Sequence, residues 1–310
     1  TPAQAGIQSA ADTTQRADMV LSPYLLLDGA LAYSRQRWLL FAALRDTRLN
    51  TYDQYNTHTT EARGTWRWAL YNDLNGELSA GREEQLTGFE NFLGAQRNVL
   101  TVTTLRAHGH WHPRPDRRAS LFFERHHGTN SVAARSGSDF RIDISRAELG
   151  LNTAQGNELT VGGRVINGDY PHRTIAALVP IDNSYKQYEA DVGTVWSPGA
   201  RTRLDTRWGY AWRRHNEVPA RDFEGAFGRM GVAWQASAKL RVDARITRDL
   251  AAGDDFDRIY TLSQARHFGL RYSLSAKVTL EAGHNRRRLQ YRGDPNNVLT
   301  QFFGVQAPRA

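Results

Sequence analysis

Short polar turns recur along this chain at a pitch of about 40 residues, and no other property restricts its possible folds so strongly. They fall near Ser34-Arg35, Asp73-Leu74, Pro113-Asp116, Ala154-Gly156, Pro198-Ala200, Gln235-Ser237 and Ser273-Ala276. Between them lie longer, irregular stretches around 49–60, 86–97, 128–139, 170–184, 214–222 and 251–258. Each leg joining a short turn to a long stretch runs roughly 10–15 residues, against about 5–6 for an ordinary strand. Short turns at one end and long loops at the other are the pattern of an up-and-down barrel that crosses a membrane. A soluble β-protein has no reason to sort its connections by length.

The legs alternate with period 2. In Arg203-Arg213, Leu204, Thr206, Trp208, Tyr210 and Trp212 oppose Arg203, Asp205, Arg207, Gly209 and Arg213. In Ala238-Thr247, Leu240, Val242, Ala244 and Ile246 oppose Arg241, Asp243, Arg245 and Thr247. The same holds for Gln36-Arg45, Ala62-Tyr71, Thr103-Trp111 and Asn157-Val165. A strand buried on both faces in a soluble core does not carry Arg-Asp-Arg on alternate positions. A sandwich with one wet face does, so alternation alone leaves both architectures open. Aromatic side chains gathered just before the short turns favour lipid: Trp68, Tyr71, Trp111, Trp196, Trp234 and Tyr272 read as an interfacial girdle. One leg breaks the pattern. Asp257-Tyr272 puts Gln264 and Arg266 on the face of Tyr260, Leu262, Phe268 and Leu270, and a β-bulge would restore the alternation.

The expected fold is therefore all-β: an antiparallel up-and-down transmembrane β-barrel with about 14 strands in this chain, one domain over residues 1–310. No run of about 18 apolar residues exists, which excludes transmembrane helices, and the negative mean hydropathy fits strands that meet lipid at every second residue. Both chain ends fall on the long-loop side, whereas bacterial barrels keep both termini with the short turns. The expectation is that terminal strands are missing and that the complete barrel has about 16–18. The chain opens Thr1-Pro2-Ala3 with no leader, as after signal-peptide removal or loss of an N-terminal part.

The net charge of +8 comes almost wholly from arginine, Lys186, Lys239 and Lys277 being the lysines. These charges are spread along the chain rather than clustered, which argues against nucleic acid as a partner. Absence of cysteine excludes a disulfide framework and thiolate metal sites.

Four segments carry a family resemblance: GELSAGREEQLTGFENFLGAQRNVLTV at 76–102, INGDYPHRT at 166–174, RDFEGAFGRMGVAW at 221–234 and KLRVDARITRDL at 239–250. Taken in order, they resemble the EpsL-type outer-membrane proteins encoded with exosortase-associated exopolysaccharide biosynthesis operons. The resemblance implies location in the bacterial outer membrane, extra terminal strands, and a non-enzymatic part in exopolysaccharide export. The partners it implies are outer-membrane lipids, an extracellular polysaccharide and periplasmic polysaccharide-export components. It brings no cofactor and no catalytic residue.

The candidate site is the lumen face: Arg63, Arg67, Arg106, Arg164, Arg203, Arg207, Arg241 and Arg245, with Tyr170 in a long loop. One reading is a positive lining that guides an acidic polymer, as charged rings set selectivity in pores. The other is structural, since Glu77, Glu83, Glu158, Glu189, Asp191, Asp205 and Asp243 share that face and offer cross-strand ion pairs. Tyr52, Tyr55, Phe89, Phe92 and Tyr185, in or beside the long loops, are sugar-stacking candidates or simple loop packing. His108, His110 and His112 share one strand face, and His126 and His127 lie on the next leg, but positions two apart in a strand lie about 7 Å apart, too far to share a zinc ion without bending. Ser131, His126, His127 and Asp139 have no spacing that marks a nucleophile and its base. Arg292-Gly293-Asp294 reads as a coincidental tripeptide.

Overall fold

The computed structural model describes residues 20–50, 56–86, 97–175, 179–180, 182–217, 219–252, 260–275 and 277–292. Strands β1 (Val20–Leu21), β2 (Tyr24–Tyr33), β3 (Gln36–Leu49), β4 (Thr57–Leu70), β5 (Leu74–Leu86), β6 (Val99–Arg114) and β7 (Arg117–Asn130) form the first half of one antiparallel sheet. The second half comprises β8 (Phe140–Asn152), β9 (Glu158–Asp169), β12 (Tyr185–Gly199), β13 (Thr202–His215), β14 (Phe223–Gln235), β15 (Leu240–Ala252), β16 (Tyr260–Ser273) and β17 (Thr279–Arg292). The short β10 (Thr174–Ile175) and β11 (Val179–Pro180) make a separate ladder within the loop between β9 and β12.

Every leg pairs with its sequence neighbour, the up-and-down order that hairpin connection imposes. The sheet counts 15 strands, but β1 and β2 pair successive stretches of β3 and form one leg, so the chain crosses the sheet 14 times. Ser22-Pro23 interrupts that first leg, because proline has no N–H for the ladder; its carbonyl still accepts a hydrogen bond from the amide of Asp46 at 3.0 Å. Among the described residues, β2 and β17 each pair on one side, and the sheet is not closed.

The short turns lie where the sequence rhythm puts them, within one or two residues. At the first two, Ser34 and Tyr71 take the left-handed backbone at φ 54° and 58°. Tight hairpins need this conformation, because its local twist matches that of the strands. Arg35 clasps these neighbouring turns, donating to the carbonyl of Tyr71 and, at 3.0 Å, to Asn72 Oδ1.

Residue faces follow from register, since directly opposed residues point the same way. On β12 the burial alternates without a break from Tyr185 to Val192. Glu189 and Asp191 have side chains only 3% and 1% exposed, whereas Tyr188 and Trp196 on the other face are 50% and 52% exposed. Crowding on one face and splaying on the other is what a wall bent toward the crowded face produces. The outer face displays Leu40, Leu44, Leu121, Leu149, Val161, Trp208, Trp234 and Ile246, all exposed. Such an apolar surface is stable facing acyl chains and not facing water.

The expected bulge in the leg 257–272 does not form. The pairing of β16 runs without a shift from Tyr260 to Tyr272 against β15 and from Tyr260 to Ser273 against β17, so Gln264 and Arg266 stay on the outer face. Register shifts occur instead at Trp111/Arg114 and Trp196/Gly199, and each spans a proline, Pro113 or Pro198. A residue without an amide donor forces the ladder to skip there.

Candidate functional site

The inner face from β7 to β13 carries a continuous ion network. Arg118 on β7 donates to Glu148 at 2.9 Å and to Glu158 at 2.5 Å. Glu148 also accepts from Arg146 at 2.7 Å, and Arg146 reaches across β9 to grip Asp191 of β12 with both terminal nitrogens at 2.6 and 2.9 Å. Asp191 accepts a second fork from Arg207 of β13 at 2.9 and 3.0 Å. Three arginines and three carboxylates close this chain of contacts with no net charge. Gly162 of β9 makes the long reach of Arg146 feasible: a Cβ there would sit 2.6 Å from the Arg146 Nη2. Forked guanidinium–carboxylate pairs fix direction as well as distance, so the network ties five legs into one stiff panel.

A second chain of contacts lies nearer the long loops. Arg164 forks onto Glu189 at 2.8 and 2.7 Å, Glu189 accepts from Gln187 at 2.5 Å, and Gln187 accepts from Arg213 at 2.7 Å. The Arg213 guanidinium stacks 3.8 Å from the Tyr185 ring centroid and 4.9 Å from that of Phe223. Tyr185 is only 6% exposed, so its ring is packing for the wall and not a free platform for a sugar.

These networks sort the candidate arginines. Arg67 pairs with Glu77 at 2.8 Å, Arg106 with Glu124 at 2.5 Å, Arg164 with Glu189 and Arg207 with Asp191. Arg63 lies over Phe41, 5.4 Å from the ring centroid. Arg203, Arg241 and Arg245 are exposed on the same inner face, and their side chains make no hydrogen bond or ion pair among the described residues. Tyr170 is apart from this wall, in the loop after β9, with the Arg173 guanidinium 5.4 Å from its ring. Arg173 in turn donates to the Gly137 carbonyl at 3.2 Å, tying that loop to the 3-10 turn Ala133–Ser138. Tyr52, Tyr55, Phe89 and Phe92 lie outside the described residues.

The network hubs Arg118 and Arg146 were not among the sequence candidates. Alternation in FRIDISRAELGLN puts Arg146 and Glu148 on one face, so the signal is present in that leg, but its partners lie 45 residues away across an intervening strand.

The histidine and serine candidates take other partners. The His108 and His110 rings approach edge to face at 4.0 Å, and His110 Nδ1 contacts Ser120 Oγ at 2.8 Å. His126 contacts Thr104 and Glu124, Ser131 Oγ accepts from the Val99 amide, and Asp139 accepts from the Asn130 amide and side chain. No cluster of metal-binding residues is present among the described residues.

No family model and no curated protein matches the chain. Solved structures do match. A mutant of the ferric enterobactin receptor PfeA from Pseudomonas aeruginosa superposes with a TM-score of 0.61 at 12% identity, over 88% of this chain and 51% of that one. The fold is that of an outer-membrane β-barrel. The siderophore receptor PirA of the same organism gives a TM-score of 0.59 at 13% identity, over 89% and 55% of the two chains. The alcaligin outer-membrane receptor FauA from Bordetella pertussis gives 0.55 at 15%, over 88% and 50%. This chain thus spans about half the length of the structures it resembles. Together with the exposed apolar outer face, the fold places the chain in the bacterial outer membrane.

Proposed function

We propose that this chain forms wall of a non-enzymatic outer-membrane conduit through which an acidic exopolysaccharide leaves the cell. The observation that carries this reading is the division of labour among inner-face arginines. Arg67, Arg106, Arg164 and Arg207 spend their charge on carboxylates and stiffen the wall. Arg203, Arg241 and Arg245 present theirs to the lumen side, unpaired among the described residues. Exposed cations on a rigid wall lower the free energy of a passing polyanion without binding it tightly, which conduction requires. The EpsL-type resemblance of the four ordered segments supports a polysaccharide as that polyanion. Periplasmic export components would then meet the barrel at its short turns, and the cargo needs no cofactor or metal.

A second reading is uptake of a small ligand, supported by the fold shared with receptors for ferric enterobactin and alcaligin. The two separate in planar bilayers. Conductance blocked by an added polyuronate, and relieved in R203Q/R241Q/R245Q, is the expected result. A channel indifferent to polyuronate, together with unchanged secreted polymer and reduced small-ligand uptake in a deletion strain, overturns the export reading.

A further inference from the structure

The outer face of β15–β17 departs from the rest of the wall in its half nearer the long loops. Arg266 of β16 and Arg286 of β17 are directly opposed and point outward, as do Arg248 of β15 and Arg288 of β17 in the next row, on either side of Gln264. All four are exposed, and among the described residues none makes an ion pair. The Arg248 Nε donates to the Ala226 carbonyl at 3.0 Å, and its terminal nitrogens make no hydrogen bond among the described residues. His284 flanks the group one row below, beside Phe268. The described outer-face positions of these three strands hold no Asp or Glu.

Height on the wall follows from the distance to each short turn. Taking the row Leu240, Tyr272 and Leu280 as the base, Arg266 and Arg286 are six residues up, about 20 Å along the strand, and Arg248 and Arg288 eight residues up, about 27 Å. A strand tilted by about 40° crosses a 25 Å apolar band in roughly 33 Å of its length, so the four lie in its upper half. At the same distance from their own turn, β12 and β13 carry Tyr210, Tyr188 and Trp212. Where one part of the wall offers aromatic rings to the interface, another offers arginines.

Two like charges directly opposed in a sheet repel, and a guanidinium facing acyl chains lacks water. Both problems vanish if a phosphate sits between the forks, because arginine binds phosphate bidentately and its stem is long enough to reach headgroup level. We propose that Arg248, Arg266, Arg286 and Arg288 bind the phosphates of a phosphorylated glycolipid of the outer leaflet, whose acyl chains then lie on Val242, Ala244, Phe268 and Leu270 below. Charge complementarity and the continuity of the patch with that apolar surface select a lipid over a soluble anion. The site belongs to the outer face and is independent of what passes inside.

The test uses the full chain in detergent micelles, titrated with diphosphoryl lipid A, with its dephosphorylated form, with inorganic pyrophosphate and with an oligoglutamate peptide. The diphosphorylated lipid binds, the dephosphorylated lipid does not, and pyrophosphate competes only weakly. Removing one cation near a membrane surface weakens anionic-lipid binding about fivefold, so R266Q/R286Q binds roughly 30-fold more weakly. R266K/R286K keeps most of the affinity, and R125Q, which removes the outward Arg125–Asp143 pair, leaves it unchanged. If R266Q/R286Q does not fold, R248Q/R288Q carries the same expectation. Unchanged affinity in the folded Gln variants overturns the proposal. So does pyrophosphate binding as tightly as the lipid, which would mark a free-phosphate site, or preference for an acidic peptide, which would mark a protein contact.

Discussion

The inner face between β7 and β13 and the outer face of β15–β17 carry the same side chain in opposite company. On the inner face every arginine of the Arg118–Arg146–Arg207 network meets a carboxylate of this chain at 2.5–3.0 Å. On the outer face, Arg266 is opposed by another arginine and no acid is near. The charges of this network are satisfied within the fold, and removing one strands its partner. The outer charges are in surplus within the fold, and their partner comes from outside it. The same residue type therefore stabilises in one place and costs stability in the other.

The largest expected break in this contrast is Asp191→Ala. It leaves the forks of Arg146 and Arg207 facing each other with a carboxylate position empty, and breaking a buried pair costs about 3 kcal/mol. Denaturant unfolding of the refolded chain, read by loss of the strand signal, measures this; a loss below about 0.5 kcal/mol would show that water already screens the network. Gly162→Val tests the same hub through space instead of charge. Its Cβ meets the Arg146 guanidinium, and the displacement costs about 1–2 kcal/mol in the same assay. An unchanged midpoint would mean that Arg146 reaches Asp191 by another route.

On the outer face the sign reverses. Arg266→Gln in a detergent without anionic lipid relieves the opposed pair and stabilises by about 0.5 kcal/mol, and the gain shrinks when diphosphoryl lipid A is present. A destabilised variant in both conditions would show that Arg266 has a partner within the protein. The smallest effect concerns the loop end of β12. Hydrogen bonds from Ser184, aided by Asn216, hold the Asp182 carboxyl below its ordinary value. A depressed carboxylate contributes stability above its unfolded value of about 3.9 and loses it as pH falls through the lower folded value. Exchange of the Ser184 amide, corrected for its intrinsic rate, should stay slow at neutral pH and quicken only below about pH 4; protection independent of pH would remove Asp182 from this clasp.

How far the wall was legible in the sequence differs from leg to leg. The inner and outer sets of β13 and β15 follow directly from alternation, because a strand's side chains have no third direction to take. The leg containing Gln264 and Arg266 misled that reasoning. It assumes an apolar outer face along the whole strand, and a bulge follows from it. The structure keeps the register, and the face itself changes character with height, apolar at Tyr272, Leu270 and Phe268 and polar at Arg266 and Gln264. The choice between an ion ladder and a free lining was likewise out of reach. Arg207 and Arg203 are indistinguishable in sequence, each two residues from Asp205, yet Arg207 forks onto Asp191 while Arg203 is exposed and unpaired among the described residues.

Two local properties of the chain, its turn rhythm and its period of 2, determined an all-β, up-and-down wall with one apolar and one charged face. Those properties act between neighbours, and each leg pairs with the next, so local information suffices for topology. Tertiary structure alone decided which charges neutralise each other. That outcome depends on register across several strands: Arg146 finds Asp191 45 residues away because Gly162, on the strand between them, leaves the path open.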